Sequence, residues 1–159
     1  MCSSDLYAWA VNTFTELQFD LAKNMVLDEV NYKGRSLTYT REEDAVFVTF
    51  PAVQAGRKFQ FRVTYHGEPA QAKKPPWDGG FVWEKDKAGR DFVGVACEGD
   101  GASLWWPCKD HPTEEPDSMA INITVPSDIM CVANGRLREK VETDVKTTYK
   151  WFVTKPINN

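Results

Sequence analysis

The stretch FQFRVTY, residues 59–65, is the part of this sequence that decides the fold. Its apolar and aromatic residues occupy every second position, and Gln60, Arg62 and Thr64 occupy the positions between them. Successive side chains of a β-strand point to opposite faces of a sheet, so this pattern buries one face and leaves the other in solvent. The stretch therefore predicts a half-buried strand of an antiparallel sheet.

The same two-residue alternation recurs along the rest of the chain. It is found in the ranges 17–21, 46–50, 121–125 and 149–153, and residue pairs typical of turns separate these runs. No window shows a sustained apolar stripe at helical spacing. We therefore predict an all-β fold, an antiparallel sheet or sandwich of roughly eight to ten strands with long irregular loops.

Composition and charge narrow the classes of function. The chain has 159 residues, which fits one domain or a part of a larger protein. Its net charge is −4, and its densest basic cluster is Lys73-Lys74, so the basic surface typical of nucleic-acid-binding proteins is missing. Its apolar runs are shorter than the ~18 residues that a membrane-spanning helix needs. We expect neither a nucleic-acid partner nor a membrane span.

The four cysteines do not suggest a disulfide scaffold in a chain of this length. We expect small buried thiols, and a disulfide between Cys97 and Cys108 stays open as an alternative. Cys97, Cys108 and His111 could also supply three metal ligands. A structural zinc site normally uses four ligands in closer pairs, so a solvent-exposed turn histidine is the better interpretation.

A long irregular segment, residues 96–118, contains prolines, glycines and the adjacent pair Trp105-Trp106. Long ordered loops in compact domains are usually functional or lie at an interface. The paired indoles favour a plug in a core or an interface, because each buries a large area. A platform on which sugars or bases stack is the alternative.

Glu98 is the carboxylate of interest in this segment. It follows a short apolar run, residues 92–97, and precedes Gly99. A carboxylate at the end of a strand and beside a glycine is well placed to meet a cationic group. An exposed glutamate in a surface ion pair is the simpler interpretation of the residue by itself.

A longer pattern surrounds Glu98. The stretch VACEGDGASLWWPCKDHP, residues 95–112, combines that glutamate with an aromatic-Pro-Cys-x-Asp-x-Pro segment, and a strand ending in Val125-Pro126 follows. Ala133-Asn134-Gly135 and the upstream Tyr65-His66-Gly67 fit the same pattern. Together these residues resemble the N-terminal domain of aminopeptidase N-type zinc metallopeptidases, peptidase family M1. The resemblance covers about residues 14–159 and is sharpest over 95–126.

The resemblance implies a saddle-shaped β domain that packs on a thermolysin-like catalytic domain of the same protein. It implies zinc and its ligands in that other domain, so the present chain needs no cofactor of its own and is expected to be inactive alone. It further implies peptide substrates that are bound through their free N-terminus. An exported protein, periplasmic or extracellular, is expected in preference to a cytoplasmic one.

Two substrate-binding residues follow from the resemblance, and no catalytic residue or metal ligand does. In the family the glutamate at the position of Glu98 binds the free α-amino group of the substrate. A buried ammonium needs such a charge-assisted acceptor. The family's glutamine two residues earlier is Ala96 here, so Ala96 is expected to line the pocket for the first side chain and to alter its preference.

The sequence also leads to a prediction about the two ends of the chain. Residues 1–6, MCSSDL, resemble the translation of a sequencing adaptor and are expected to be a non-native scar. Residues 7–159 are then expected to form the N-terminal β domain, truncated at both ends and without the catalytic domain.

A different class of function is compatible with the same sequence. The chain could be a β-sandwich module that binds carbohydrate on exposed aromatic side chains. The candidate side chains are Trp77, Trp83, Trp105 and Trp106.

Overall fold

The computed structural model describes residues 1–97, 99–111 and 113–156. These residues form twelve strands and one 3₁₀ turn, Ala102–Leu104, and contain no α-helix, which confirms the predicted all-β class. The strands are β1 Cys2–Trp9, β2 Phe14–Asp20, β3 Met25–Tyr32, β4 Arg35–Ser36, β5 Tyr39–Glu42, β6 Ala45–Val53, β7 Lys58–Gly67, β8 Gly80–Lys85, β9 Asp91–Ala96, β10 Ser118–Pro126, β11 Arg136–Glu142 and β12 Lys146–Thr154.

The strand count exceeds the predicted eight to ten. Strand β4 has only two residues, which is too short to show a periodic pattern. Strand β1 comprises residues that the sequence pattern marked largely as non-native. The five alternating runs lie in strands β2, β6, β7, β10 and β12, except for Leu21, which follows the end of β2.

The described chain divides into two compact units. The first comprises residues 1–83 and the described part of 93–111. The second comprises residues 84–92 and the described part of 112–158. The described ranges contain no helix with the length and apolar character that a membrane span requires.

The first unit is a sandwich of two antiparallel sheets. One sheet has the strand order β1-β7-β3-β4 and the other has the order β2-β6-β5. Their facing residues form a single apolar core, as the alternation along β7 predicts. Phe50 of β6 meets Phe61 of β7 and Tyr32 of β3 with ring centroids 5.5 and 5.2 Å apart. These edge-to-face contacts join the two sheets at their centre.

Strand β1 is an edge strand that pairs with β7 from Cys2 to Trp9. Leu6 packs against the core of the sandwich, and Asp5 forms an ion pair with Arg62 of β7 at 2.8 Å. Residues 2–6 thus take part in the fold of the first unit. Whether they are native stays a prediction.

The second unit contains a three-stranded antiparallel sheet with the order β10-β12-β11. Strand β12 is central, and its Trp151 and Tyr149 lie opposite Ile121 and Ile123 of β10. All seven residues of β11 are exposed. The remaining strands, β8 and β9, form a two-stranded sheet, and β9 leads into the segment that the sequence singled out.

Candidate functional site

The segment after β9 is an ordered loop of the first unit. We call its described residues, 97 and 99–111, the anchored loop. Ala96 is the last residue of β9 and is half-buried. Glu98 lies outside the described residues, so its predicted role stays a prediction. The structure does describe the residues on both sides of it.

Backbone hydrogen bonds attach the anchored loop to the end of β2. Asp20 and Cys108 form an antiparallel bridge, in which the N–H of Asp20 donates to the carbonyl of Cys108 at 2.7 Å and the reverse bond measures 3.1 Å. The N–H of Ala22 donates to the carbonyl of Ser103 at 2.8 Å. These bonds satisfy backbone groups that a buried loop would otherwise leave unpaired.

The carboxylate of Asp110 closes the anchored loop on itself. Its Oδ2 accepts the hydroxyl of Ser103 at 2.5 Å and the N–H of Ser103 at 3.4 Å. The N–H of Asp110 in turn donates to Oδ2 of Asp20 at 3.0 Å. Gly101 lies directly against the Asp110 carboxylate, where a Cβ atom would overlap with it. Two acidic side chains thus fix the loop through directional bonds.

The guanidinium of Arg41 supports the chain segment to which the anchored loop is attached. It donates to the carbonyls of Leu21 at 2.5 Å, Ala22 at 2.7 Å and Met25 at 2.8 Å. These carbonyls belong to the connection between β2 and β3 and to the first residue of β3. A rigid fork of donors is suited to holding several acceptors in one arrangement.

Two further hydrogen bonds hold the residues next to position 98. The N–H of Gly101 donates to the carbonyl of Cys97 at 2.8 Å. The carboxylate of Asp100 accepts the N–H of Gly79 at 2.5 Å, which ties the loop to the segment before β8. Gly101 has a φ of 82°, in the left-handed region that favours glycine.

The paired tryptophans act as packing residues. Trp105 and Trp106 contact each other with centroids 4.5 Å apart, and Phe81 meets Trp105 edge-on at 5.4 Å. Trp106 packs against the core of the sandwich. The Nε1–H of Trp105 is buried and has no acceptor with hydrogen-bond geometry among the described residues. This arrangement agrees with the predicted plug.

The four-tryptophan carbohydrate platform is not favoured. Trp105 and Trp106 are half-buried and engaged in packing, contrary to the exposure that this alternative requires. Trp77 and Trp83 are exposed by 78% and 59%. Trp83 stacks on Phe81 with centroids 6.1 Å apart.

None of the four cysteines, which all lie in the described ranges, forms a disulfide, so the alternative of a Cys97–Cys108 disulfide is not seen. Burial raises the pKa of the Cys97 thiol above its ordinary range, and the nearby Trp105 indole acts in the opposite direction. A raised pKa keeps this thiol protonated and slow to react at neutral pH.

Within residues 1–97, 99–111 and 113–156, no three His, Cys, Asp or Glu side chains converge in a way that could hold a metal ion. The structure therefore does not show the metal site that was considered for Cys97, Cys108 and His111. A shallow depression of about 680 Å³ lies on the sandwich, lined by residues such as Glu29, Lys58 and Arg62. It contains none of the predicted site residues.

Solved structures of M1 zinc metallopeptidases and of a leukotriene A4 hydrolase share this fold. The M1 zinc metallopeptidase of Deinococcus radiodurans matches 94% of the chain with a TM-score of 0.76 and 21% sequence identity. A variant of the M1 enzyme from that organism, bound to a Tyr-Ser-Ala substrate, matches 94% of the chain with a TM-score of 0.78 and 22% identity. The leukotriene A4 hydrolase of Saccharomyces cerevisiae matches 98% of it with a TM-score of 0.58 and 15% identity.

The chain has the fold of a part of M1 zinc metallopeptidases. It spans 33%, 34% and 25% of the length of those three structures. No family model and no curated protein matches it. At the level of the fold, the likeness to M1 structures confirms the resemblance that the sequence pattern predicts.

Sequence reasoning missed the residues that hold the loop in this M1-type fold. Asp110 and Ser103 belong to the M1-like pattern, yet the pattern gives neither of them a role. Asp20 and Arg41 gave no local signal, because their partners lie far away in the sequence.

Proposed function

We propose that this chain is the N-terminal β domain of a zinc-dependent aminopeptidase. The observation that carries the proposal is the fold likeness to M1 zinc metallopeptidases over nearly the whole chain. The pattern in residues 95–112 supports it, because its residue types and spacing resemble the same family independently of the backbone fold. The catalytic domain of the same protein would be the partner of this chain, and an exported location is part of the proposal.

Zinc belongs to the proposed partner domain. The described residues do not fit the metal, since they bring no ligand set together. In the proposal the zinc ligands follow this chain in the same protein, and the chain alone does not hydrolyse peptides. Its contribution is one wall of the substrate cleft.

Within that wall, Glu98 would bind the free α-amino group of a peptide substrate. A carboxylate that meets an ammonium in a closed cleft forms a strong charge-assisted hydrogen bond. The requirement for this contact would restrict the enzyme to peptide N-termini. Ala96, at the end of β9, would line the pocket for the first side chain, where its small methyl group leaves more room than a glutamine.

The test of this role is Glu98→Ala and Glu98→Gln in the intact enzyme. Loss of one partner from a buried charge pair typically costs about 2–5 kcal/mol, so kcat/KM on an aminoacyl p-nitroanilide should fall about thirtyfold or more. KM should rise, and Glu98→Gln should be the milder change. Glu16→Ala, at an exposed position of β2, is the matched control and should leave the kinetics unchanged. Unaltered kinetics in both Glu98 variants would remove the amine-binding role.

The family itself can be tested without kinetics. The coding sequence downstream of Asn159 should contain a His-Glu-x-x-His zinc motif on a helix. A continuation that lacks any such motif would overturn the assignment as an aminopeptidase domain.

A further inference from the structure

Strands β8 and β9 form a two-stranded sheet with one apolar face. Every second side chain of a strand lies on the same face of its sheet. Lys85 of β8 and Asp91 of β9 form an ion pair, so the odd-numbered residues of both strands share a face. Apart from that pair, the odd-numbered residues of the two strands are all apolar. We call them the hairpin face: Phe81, Trp83, Val93 and Val95.

The hairpin face is exposed, although its composition is that of a buried surface. Trp83 is 59% exposed, and Val93 and Val95 are 43% and 42% exposed. Phe81 is half-buried. All four residues belong to the first unit. A contiguous group of exposed apolar side chains marks a surface that another molecule covers.

Aromatic contacts hold the outer end of this face in place. Trp106 packs against the core of the sandwich and contacts Trp105, whose ring meets Phe81 at 5.4 Å. Phe81 in turn stacks on Trp83, with centroids 6.1 Å apart. A continuous row of rings therefore extends from the core to Trp83. A tryptophan that is fixed before it binds loses little conformational entropy on contact, and such residues supply much of the binding energy of interfaces.

Two observations indicate what covers the hairpin face. The chain corresponds to 33% and 34% of the length of the M1 structures whose fold it shares, so most of such a protein lies outside it. Val95 directly precedes Ala96, which the proposed function places in the substrate cleft beside the zinc-binding domain. A domain that shares a cleft with Ala96 has to reach the end of β9, and the hairpin face is the apolar surface that begins there.

We propose that the hairpin face is the docking surface for the zinc-binding domain of the same protein, with Trp83 as its principal contact. This inference rests on the proposed function. The four side chains carry no charge, so the surface that covers them is an apolar one. Removal of both surfaces from water would stabilise the contact without any matched polar pair.

Hydroxyl-radical footprinting of the intact enzyme, mapped by mass spectrometry, tests the docking. Trp9 is the matched control, because it is a tryptophan of the same unit and is 64% exposed on β1. From these exposed fractions alone, Trp83 and Trp9 should be oxidised at similar rates. Docking should make the oxidation of Trp83 several times slower than that of Trp9, since residues at the centre of an interface are fully buried.

A pair of valine substitutions gives a second readout. Val93→Thr keeps the volume of the side chain but adds a hydroxyl, which is costly at a covered position. It should lower the unfolding temperature of the intact enzyme by about 2 °C or more. Val26→Thr is the control, because Val26 is 50% exposed on β3 and lies outside the hairpin face. It should change that temperature by less than about 1 °C.

The outcomes separate this inference from the proposed function. Equal oxidation rates at Trp83 and Trp9, or equal shifts for the two valine variants, would overturn the docking surface. Protection of Trp83 that increases with enzyme concentration would assign the face to a second copy of the protein and would also overturn it. Each of these results leaves the proposed function standing when the same enzyme hydrolyses an aminoacyl p-nitroanilide. An intact protein that neither hydrolyses that substrate nor binds zinc would overturn both.

Discussion

The sandwich of the first unit and the anchored loop are held together by different kinds of interaction. Side chains such as Phe61 and Val63 are almost completely buried in the apolar core between two sheets. The anchored loop depends on hydrogen bonds to named atoms, above all those of Asp110 and Asp20. Apolar burial is non-directional, whereas each polar bond requires one donor and one acceptor in place.

This difference separates stability from function. The sandwich contains most of the buried apolar side chains and should determine the free energy of unfolding. The anchored loop contributes few of them, but it carries the residues beside Glu98. Substitutions in the sandwich should therefore lower stability, and substitutions in the loop should lower the proposed substrate binding.

The largest effect should come from Phe61→Ala in the sandwich. Phe61 is 3% exposed and meets aromatic rings of β2 and β6. Its truncation should lower the free energy of unfolding by about 3–5 kcal/mol, through lost burial and a cavity. Urea denaturation followed by tryptophan fluorescence measures this change. Tyr7→Ala, on the exposed side of β1, should change stability by less than about 0.5 kcal/mol. Equal effects at both positions would contradict a single closed core.

The sandwich was predictable because its physical signal is local. Burial of one sheet face requires an apolar residue at every second position, and that requirement is visible within seven residues of β7. Strand β4 was not predictable, because two residues cannot display a period. The sequence pattern therefore predicted the fold class and the five strands that contain alternating runs, but not the full strand count.

The anchored loop was predictable only in part. The pattern around Cys108 indicated a functional loop, and the paired indoles indicated a packing plug. The bond between Asp20 and Asp110 joins residues 90 positions apart, and no local pattern marks such a pair. Its existence depends on how β2 and the loop meet in three dimensions. Glu98, the predicted amine-binding residue, lies outside the described residues. The structure therefore describes only the residues on either side of it.

Gly101→Ala should distinguish the anchored loop from the sandwich, because it should lower activity as well as stability. Its Cβ atom would overlap with the Asp110 carboxylate, and its φ of 82° is unfavourable for alanine. We expect a loss of about 1–3 kcal/mol in stability and a fall in kcat/KM of the intact enzyme of about tenfold or more. Gly34→Ala is the matched control, because Gly34 has a φ of 79° and open space around its Cα.

Gly34→Ala should cost about 1–2 kcal/mol through backbone strain alone and leave kcat/KM unchanged. Its turn joins β3 and β4 and has no part in the anchored loop. A comparable loss of activity in the two glycine variants would mean that the loop has no special connection with substrate binding. The comparison between a stabilising sandwich and a functional loop would then be wrong.

The smallest effect should come from a polar contact on the sandwich itself. The hydrogen bond and charge of Arg62 hold the pKa of the Asp5 carboxyl below its ordinary value of 3.8, against the opposing effect of burial. A carboxyl with a lowered pKa in the folded state adds stability above its unfolded pKa, and this contribution is lost as the pH falls through the folded pKa. Arg62 is 57% exposed, so solvent screening limits the contribution to at most about 0.5 kcal/mol.

Asp5→Asn should therefore lower the free energy of unfolding by no more than that amount at pH 7. The difference between the variant and the unmodified chain should shrink as the pH falls below about 3.8 and through the folded pKa, where the carboxylate becomes protonated. Urea denaturation at about pH 7 and about pH 3 measures both values, and about 0.5 M NaCl should weaken the effect at neutral pH. A loss above about 2 kcal/mol would show that polar contacts determine the stability of the sandwich as they do the geometry of the loop. A small, salt-sensitive loss would locate the dependence on single polar atoms in the anchored loop, because there such atoms are partly buried and bonded to the backbone of the loop.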